Sequence, residues 1–209
     1  MILLKGLGSL KIKNNLTYKE EIFRKLLHLF DSIIPLSLFF LERDFIINLL
    51  IPTTFIFISL DFLRHQISSL NKIYLYFFSK ITRNIEKDNN TLTGASYYLL
   101  GCSIVFLLFD NNNLIVASLL IMTISDSFAA IVGIKYGRTK IYNNSSLEGS
   151  FAFFISTLII LNIFIPTLNV INIIIIAVLV TTVELVSSHN INDNLTIPIS
   201  SAILISLFI

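Results

Sequence analysis

The chain has 209 residues, of which 55% are hydrophobic and 13% charged, and this charged share, about half that of a soluble domain, excludes a water-soluble globule. A formal net charge of +2 is too small an excess to favour a nucleic-acid partner. The single Cys102 has no second cysteine to pair with, which excludes an intrachain disulfide and a cysteine zinc site.

Seven apolar stretches follow one another along the chain, at residues 26–41, 45–60, 94–109, 114–133, 150–165, 170–186 and 196–209. Several are near the lower limit of the roughly 17 to 25 residues that a transmembrane helix needs. Their continuous apolar character indicates helices, because barrel strands alternate. We predict an all-α, polytopic integral membrane protein with about seven transmembrane helices, in which 1–25 form a basic N-terminal segment and 26–209 a single helical membrane domain.

One further apolar segment, 70–81, differs from these seven stretches. It carries Lys72 and Lys80 and is too short to cross a bilayer. We therefore predict an interfacial amphipathic helix there.

The basic residues are distributed unevenly between the two faces that seven crossings define. The N-terminus and the connections 64–93, 135–148 and 187–195 share one face and hold fourteen of the fifteen Lys and Arg residues, and Arg43 is on the other face. By the positive-inside rule the basic face is cytoplasmic. Most polar clusters are on the same face, so the N-terminus and the active face are predicted to be cytoplasmic.

Four acidic residues lie in or next to the predicted spans: Asp31, Asp61, Asp126 and Glu184. A charge near the bilayer centre costs at least about 2.5 to 3.5 kcal/mol, so each of them requires an explanation. The last three fall toward the cytoplasmic ends of their helices. We expect them to meet around one polar pocket open to that face, which Asp31 could join.

The densest polar cluster ends the fourth span. Offsets of four, seven and eleven residues place Ala130, Gly133 and Gly137 on one helical stripe with Asp126. Small residues allow a phosphate or another backbone to approach closely, and basic residues follow at Lys135, Arg138 and Lys140. The alternative is an ordinary helix-packing face followed by residues that set the topology.

The next polar cluster precedes the fifth span. Ser145 or Ser146 is predicted to cap that helix, and a helix N-terminus is a natural anion site. Glu148 has two interpretations, a favourable interaction with the helix dipole, or a carboxylate that holds a divalent ion with Asp126 against a polyphosphate.

The remaining clusters each have a structural alternative. Asp193-Asn194 after Glu184 could form only a turn, and Thr93-Gly94 could form only a helix cap. Arg24 and His28 could be a basic flank that sets the topology, and Asp61 with Arg64 an ion pair at spacing i, i+3. Their joint placement on one membrane face is the informative observation.

In this order the clusters resemble the dolichol kinase and phytol kinase family, from about Glu21 to the C-terminus. The resemblance rests on Arg24-Lys25-x-x-His28, Asp61-x-x-Arg64, Leu92-Thr93-Gly94-Ala95, Asp126-Ser-x-Ala-Ala-x-x-Gly133-x-x-x-Gly137, Leu147-Glu148-Gly149-Ser150, and Glu184 followed by Asp193-Asn194-Leu-Thr-Ile-Pro198. It implies a polytopic protein that transfers the γ-phosphate of a nucleoside triphosphate, typically CTP, to a membrane lipid alcohol. CTP-dependent diacylglycerol kinases look similar.

The chain departs from that family at one position, because Ser145 stands where the family usually has Lys before the Ser-x-Glu-Gly element. A phosphate-binding cation is missing there, and two outcomes are open: Lys140 or Arg138 takes its role, or the activity is altered or lost. Phosphatidate cytidylyltransferases are related in role, but the Gly-His-Gly-Gly element expected of them is absent from the sequence.

The clusters and the resemblance together give a hypothesis for the site. Asp126, Glu148 and Asp193 are predicted to hold Mg²⁺, and Asp126 or Glu184 to accept the proton of the lipid hydroxyl. The predicted substrate- and nucleotide-binding residues are Arg24, Lys25, His28, Arg64, Thr93, Gly94, Gly133, Gly137, Arg138, Lys140, Ser146, Gly149, Ser150 and Asn194. The acceptor is a polyprenol, phytol or diacylglycerol.

Two other functions compete with this hypothesis. The first is synthesis of a CDP-lipid from a phosphatidic acid. The second is a small membrane transporter with acidic residues along its path, which would place them at varied depths.

Overall fold

The computed structural model describes residues 18–79, 82, 91–142, 145–190 and 192–209. Most of the predicted N-terminal segment 1–25 therefore lies outside the described residues. The helices are α1 Tyr18–Phe30, α2 Ile33–Leu36, α3 Arg43–Gln66, α4 Ser68–Phe78, α5 Gly94–Leu108, α6 Asn112–Tyr136, α7 Leu147–Phe164, α8 Val170–Asn190 and α9 Asp193–Ser206. The strands β1 Lys140–Tyr142 and β2 Ser145–Ser146 pair antiparallel.

The chain is an all-α membrane protein apart from this short ribbon. Within the described residues, four helices are long and apolar enough to cross a bilayer: Arg43–Gln66, Asn112–Tyr136, Leu147–Phe164 and Val170–Ser187. The apolar α5 has 15 residues and α9 has 14. Helix length thus supports four spans, and the count of seven stays a prediction.

The first predicted stretch, 26–41, is not one helix. Helix α1 ends at Phe30, Asp31 and Ser32 form a turn, and α2 continues into a 3₁₀ turn at Ser37–Phe39. Pro35 has no N–H to donate to the carbonyl of Asp31, four residues earlier. That carbonyl accepts hydrogen bonds from the Ile34 N–H at 3.1 Å and from the Tyr98 hydroxyl at 2.9 Å. The other six predicted stretches each coincide with one helix.

Helix α4 occupies the place of the predicted amphipathic helix and exposes Ile73, Tyr76 and Phe77. The end of that prediction, residues 80–81, lies outside the described residues. Its position at the membrane interface remains a prediction.

Helix α6 is the centre of the bundle. In its most apolar window 72% of the residues are buried, against 22% for α3, which lies at the periphery. It packs against α1, α7 and α9. Its residues Ile121–Ser125 form a π-helical turn directly before Asp126. Such wide turns are frequent at functional sites, and this one sets the direction in which Asp126 leaves the helix.

The end of the bundle away from Asp126 is held by a smaller polar contact. Arg43, at the start of α3, pairs with Asp110 after α5 at 3.0 Å and donates to the Phe106 carbonyl at 2.6 Å. Helices α3 and α5 are therefore antiparallel, as the sequence predicts for consecutive spans.

Candidate functional site

A cavity of about 440 Å³ opens where α6 ends and α7 begins. Its wall comes from α1, α6, α7, α8, the β-ribbon and the first residue of α9. The lining residues are Glu21, Arg24, Lys25, Asp126, Ala129, Ala130, Gly133, Ile134, Gly137, Lys140, Ser145, Ser146, Gly149, Ser150, Glu184 and Asp193. The structure thus brings together predicted site residues that are up to 169 positions apart, from Arg24 to Asp193.

The glycines of this cavity allow α6 and α7 to approach closely. A Cβ atom on Gly149 would lie 2.8 Å from the Ala129 carbonyl oxygen, and one on Gly133 would lie 3.1 Å from Ser146 Oγ. A Cβ on Gly137 would lie closer still to Ser146 Oγ, at 2.6 Å. The glycine stripe therefore has the packing role that the sequence offered as its alternative, and it also forms one wall of the cavity.

The N-terminus of α7 faces the cavity. Ser146 caps the helix, because its Oγ accepts a hydrogen bond from the Gly149 N–H at 3.1 Å. Ser150 Oγ, in the same turn, is shielded from solvent and has no hydrogen-bond partner among the described residues. The free N–H groups and positive dipole of a helix N-terminus favour an anion at this place.

A buried ion pair joins α1 to α6 at the cavity wall. Lys25 Nζ donates to Asp126 Oδ2, and the two side chains are only 4% and 8% exposed. Ser127 Oγ also donates to the Lys25 carbonyl at 3.4 Å. Each charge compensates the desolvation of the other, so neither can be removed alone without leaving a buried charge.

Arg24 adds a second cation to this wall. Its Nε donates to Glu21 Oε2 at 3.2 Å. Burial alone lowers the pKa of Arg24, but the hydrogen bond and charge of Glu21, together with Asp193 and Asp126, outweigh it and raise the pKa above its ordinary value. Arg24 therefore stays positively charged while it faces the cavity. With Lys25 and Lys140 it forms what we call the cationic wall.

Besides Glu21, which pairs with Arg24, three acidic residues line the cavity and form what we call the acidic wall: Asp126, Glu184 and Asp193. Its members come from three helices, α6, α8 and α9. Glu184 Oε2 is shielded from solvent and has no hydrogen-bond partner among the residues that the structure describes. Asp126, by contrast, is paired with Lys25.

Glu148, the third predicted metal ligand, lies apart from the acidic wall. Its Oε1 accepts a hydrogen bond from the Thr139 N–H at 3.3 Å, and Glu148 does not line the cavity. In the described part of the chain, no three His, Cys, Asp or Glu side chains are grouped as metal ligands. Arg138 lies in the exposed connection beside Thr139 and does not line the cavity either.

A second polar cluster, the Asp61 cluster, consists of Asp61, Arg64, Thr93 and Ser96. Asp61 Oδ2 accepts hydrogen bonds from the Thr93 N–H at 2.8 Å, the Thr93 hydroxyl at 2.9 Å and the Ser96 hydroxyl at 2.6 Å. Arg64 Nε donates to Asp61 Oδ1 at 2.9 Å. These bonds join the end of α3 to the start of α5.

Four predicted binding residues take part in this junction rather than in the cavity. Arg64 and Thr93 bind Asp61, and the Arg64 guanidinium also lies 4.4 Å from the centre of the Tyr74 ring. Asn194 Nδ2 donates to the Gly94 carbonyl at 2.8 Å and so joins α9 to α5. The structure does not bring Arg64, Thr93, Gly94 or Asn194 to the cavity wall.

His28 and Asp31 form a separate pair at the end of α1. His28 Nδ1 lies 2.7 Å from Asp31 Oδ2, and the His28 ring meets Tyr98 edge-on at 5.5 Å. Neither residue lines the cavity. Asp31 therefore does not join the other acids, as the sequence had allowed.

Glu21 is the cavity residue that the sequence reasoning missed. It was included in the family resemblance only as a boundary, although its spacing of three residues from Arg24 favours an ion pair on one helical face. That spacing was the available signal.

Comparisons with known proteins find uncharacterized relatives and, at lower coverage or identity, lipid kinases. It is 40% identical over 192 residues to an uncharacterized protein of Rickettsia prowazekii, which covers 88% of this chain and 93% of that protein. It is 33% identical over 141 residues to CTP-dependent diacylglycerol kinase 1 of Saccharomyces cerevisiae, covering 65% of this chain and 47% of the kinase. It is 28% identical over 157 residues to a dolichol kinase of Schizosaccharomyces pombe, and the match covers 69% of this chain and 31% of that kinase.

No protein-family model matches the chain. No solved structure matches it either.

Proposed function

We propose that this chain, which belongs to one family with the uncharacterized protein of Rickettsia prowazekii, is a membrane-embedded kinase that phosphorylates a lipid alcohol with CTP. Its distant homologues are lipid kinases, and the name of one of them states CTP as the donor. The acceptor classes that we propose are diacylglycerol, a polyprenol and phytol.

The cavity is the observation that carries this proposal. The cationic wall, the N-terminus of α7 and the acidic wall all line it. Phosphoryl transfer needs mainly positioning and charge neutralisation, which such a lining supplies. Arg24, Lys25 and Lys140 would neutralise phosphate oxygens, and the α7 N–H groups would bind them directly.

Ser145, which replaces the lysine of the resembling family, is compatible with the proposed kinase function. Ser145 lines the cavity where the resembling family has a lysine, and Lys140 lies on the paired strand of the ribbon and lines the same cavity. We propose that Lys140 supplies the cation that is missing at position 145.

The acidic wall fits a Mg²⁺ ion of the kind found in nucleotide sites. Magnesium usually keeps several waters and takes one or two protein carboxylates besides the substrate phosphates. Asp126 and Asp193 line the cavity and can supply those two, whereas Glu148 does not line it. Bound there, the ion would neutralise charge on the phosphates.

Nucleotide binding would then separate Lys25 from Asp126. A phosphate is the better partner for the lysine and a divalent ion the better partner for the carboxylate, so both buried charges stay compensated. In the structure the ion pair compensates the charges of Lys25 and Asp126 for one another.

We also propose that the chain crosses the membrane seven times, with the cavity on the cytoplasmic face. The unequal distribution of Lys and Arg supports this orientation. The antiparallel contact of α3 and α5 at the end of the bundle away from Asp126 is consistent with it.

Labelled nucleotides test the proposed reaction. Purified protein in lipid nanodiscs is incubated with Mg²⁺, with CTP or ATP labelled on the α- or the γ-phosphate, and with each of the three lipid alcohols. We expect the γ-label, and not the α-label, to appear in the lipid, with CTP as the better donor. Transfer of the α-label to phosphatidic acid would instead establish CDP-lipid synthesis, and transfer of neither label would contradict both.

A further inference from the structure

One oxygen of the acidic wall lacks the hydrogen bond that its position requires. Glu184 lies in the apolar helix α8 and lines the cavity, yet its Oε2 is shielded from water and has no partner among the described residues. Leaving a carboxyl oxygen shielded from water and unpaired in such a place is unfavourable. A ligand that completes this site would remove that cost.

The chemistry of the missing partner follows from the group itself. As a proton acceptor Glu184 must be ionised, and an ionised carboxylate only accepts hydrogen bonds, so its partner in that state must be a donor or a cation. The phosphates of a nucleotide offer neither, and they are repelled by a second negative charge. The hydroxyl of a lipid alcohol is a donor. Glu184 therefore suits the acceptor substrate, whereas the cationic wall suits the donor substrate.

The position of Glu184 relative to the lipid supports the same assignment. It lies six residues before the end of α8, about 9 Å along the helix axis. The same helix exposes Val178, Leu179 and Val186 on the face opposite Glu184, where a bilayer would surround it. A lipid hydroxyl at the depth of Glu184 would therefore reach the cavity between the helices.

Asp126, the other predicted proton acceptor, is less suited to that step. Its carboxylate is bound by Lys25 and, in the proposed function, would pass from Lys25 to the divalent ion. In neither state is it free to take the proton of a hydroxyl.

We propose that Glu184 binds the hydroxyl of the lipid alcohol and accepts its proton, an inference that rests on the proposed kinase function. The O–H bond breaks as its proton passes to Glu184 Oε2, and the hydroxyl oxygen forms a bond to the γ-phosphorus. The bond from the γ-phosphorus to the β,γ-bridging oxygen breaks, and the nucleoside diphosphate leaves with the electron pair. The protonated Glu184 then returns its proton to water.

The variants Glu184→Gln and Glu184→Asp test this role, with Glu42→Gln as the matched control in an exposed loop at the other end of the bundle. Labelled CTP binding is measured beside γ-label transfer to the lipid alcohol that gives the most product. Because general base catalysis contributes about 10²- to 10⁴-fold, we expect Glu184→Gln to lose that much turnover while it binds CTP normally. Glu184→Asp should keep part of the rate, and Glu42→Gln all of it.

A fluorinated acceptor gives a readout that a purely structural residue would not change. Fluorine next to the hydroxyl-bearing carbon lowers the pKa of the hydroxyl, so that substrate needs less help from a base. For each protein we divide the turnover of the fluorinated lipid alcohol by the turnover of the unfluorinated one. We expect this ratio to be at least about tenfold higher in Glu184→Gln than in the unchanged protein.

Two results would overturn the assignment and leave the kinase function intact. Full turnover of Glu184→Gln would show that another group takes the proton. An equal loss of CTP binding and turnover, with an unchanged acceptor ratio, would place Glu184 with the metal ion instead. Failure of the unchanged protein to phosphorylate any lipid alcohol would contradict the proposed function itself.

Discussion

Two acids of this bundle, Asp61 and Glu184, have opposite degrees of hydrogen-bond satisfaction. Asp61 is buried and accepts three hydrogen bonds from Thr93 and Ser96 at the start of α5 and one from Arg64. Glu184 is half-buried and lines a cavity, and its Oε2 has no partner among the described residues. In the sequence each lies near the predicted cytoplasmic end of an apolar helix, and only the spacing of Asp61 from Arg64 distinguishes them.

This difference separates a structural role from a functional one. A satisfied buried carboxylate stabilises the contact between the helices that bind it, and a ligand would have to break those bonds to reach it. An unsatisfied carboxylate raises the free energy of the ligand-free protein. A ligand that supplies the missing hydrogen bond removes this cost when it binds. The Asp61 cluster is therefore a junction of α3 and α5, and the cavity is the candidate site.

Asp126→Asn should have the largest effect on activity. The substitution removes a carboxylate proposed for the metal ion, and we expect γ-label transfer to fall by about 10³-fold or more. It also leaves Lys25 buried without its partner, so the protein should lose thermal stability as well.

The double variant Lys25→Met, Asp126→Asn separates these two effects. Replacing both partners removes the unpaired charge, so thermal stability should recover while transfer stays absent. Recovery of transfer together with stability would contradict the role of Asp126 in the chemistry.

Asp61→Asn should have the opposite profile. Removing one partner of a buried, hydrogen-bonded ion pair costs about 3 to 5 kcal/mol of stability. We expect a large fall in the unfolding temperature in detergent, but transfer per folded molecule within about twofold of the unchanged protein. An Asp61→Asn protein that is stable but inactive would contradict a purely structural role and show that the Asp61 cluster belongs to the functional site.

A pair of glycine variants sharpens the comparison further. A Cβ on Gly149 would crowd the Ala129 carbonyl at the cavity, and one on Gly101 would crowd the Asn194 carbonyl oxygen at 2.9 Å, away from it. Overpacking at either place should cost about 1 to 3 kcal/mol. We expect Gly149→Ala to lower transfer per folded molecule as well, and Gly101→Ala to leave it unchanged. Equal activity of the two would contradict a functional cavity wall.

Lys140→Met should have the smallest effect of the series. Lys140 is exposed, and an exposed ionic contact contributes about 0.2 to 1 kcal/mol. We expect the KM for CTP to rise by no more than about fivefold, with a smaller effect at high salt. Lys135→Met, whose ammonium lies 5.1 Å from the centre of the Tyr136 ring outside the cavity lining, is the control and should leave KM unchanged.

The sequence predicted most of the helices because a continuous apolar stretch has one stable arrangement in hydrocarbon. It failed at 26–41, where Pro35 breaks the helix and Tyr98, far away in sequence, accommodates the break. The β-ribbon was also missed, because three residues of strand in a polar connection leave no periodicity to detect.

The site was predicted in part for a related reason. Asp126, Glu184, Asp193 and the α7 cap are conspicuous polar residues beside apolar helices, and the structure brings them together at the cavity wall. Whether a polar residue faces the cavity or a neighbouring helix depends on how its helix is rotated about its own axis in the folded bundle. Four predicted site residues face a neighbouring segment instead of the cavity: Arg64, Thr93, Asn194 and Glu148. Their spacing in the sequence does not distinguish them from residues that line the cavity.

The most direct test of the account measures γ-label transfer from CTP to lipid alcohol, per folded molecule, for Asp126→Asn and Asp61→Asn in the same membranes. The account predicts a loss of about 10³-fold for the first variant and a rate within about twofold of the unchanged protein for the second. Activity that persists in Asp126→Asn, or disappears in folded Asp61→Asn, would contradict the assignment of the cavity as the site of phosphoryl transfer.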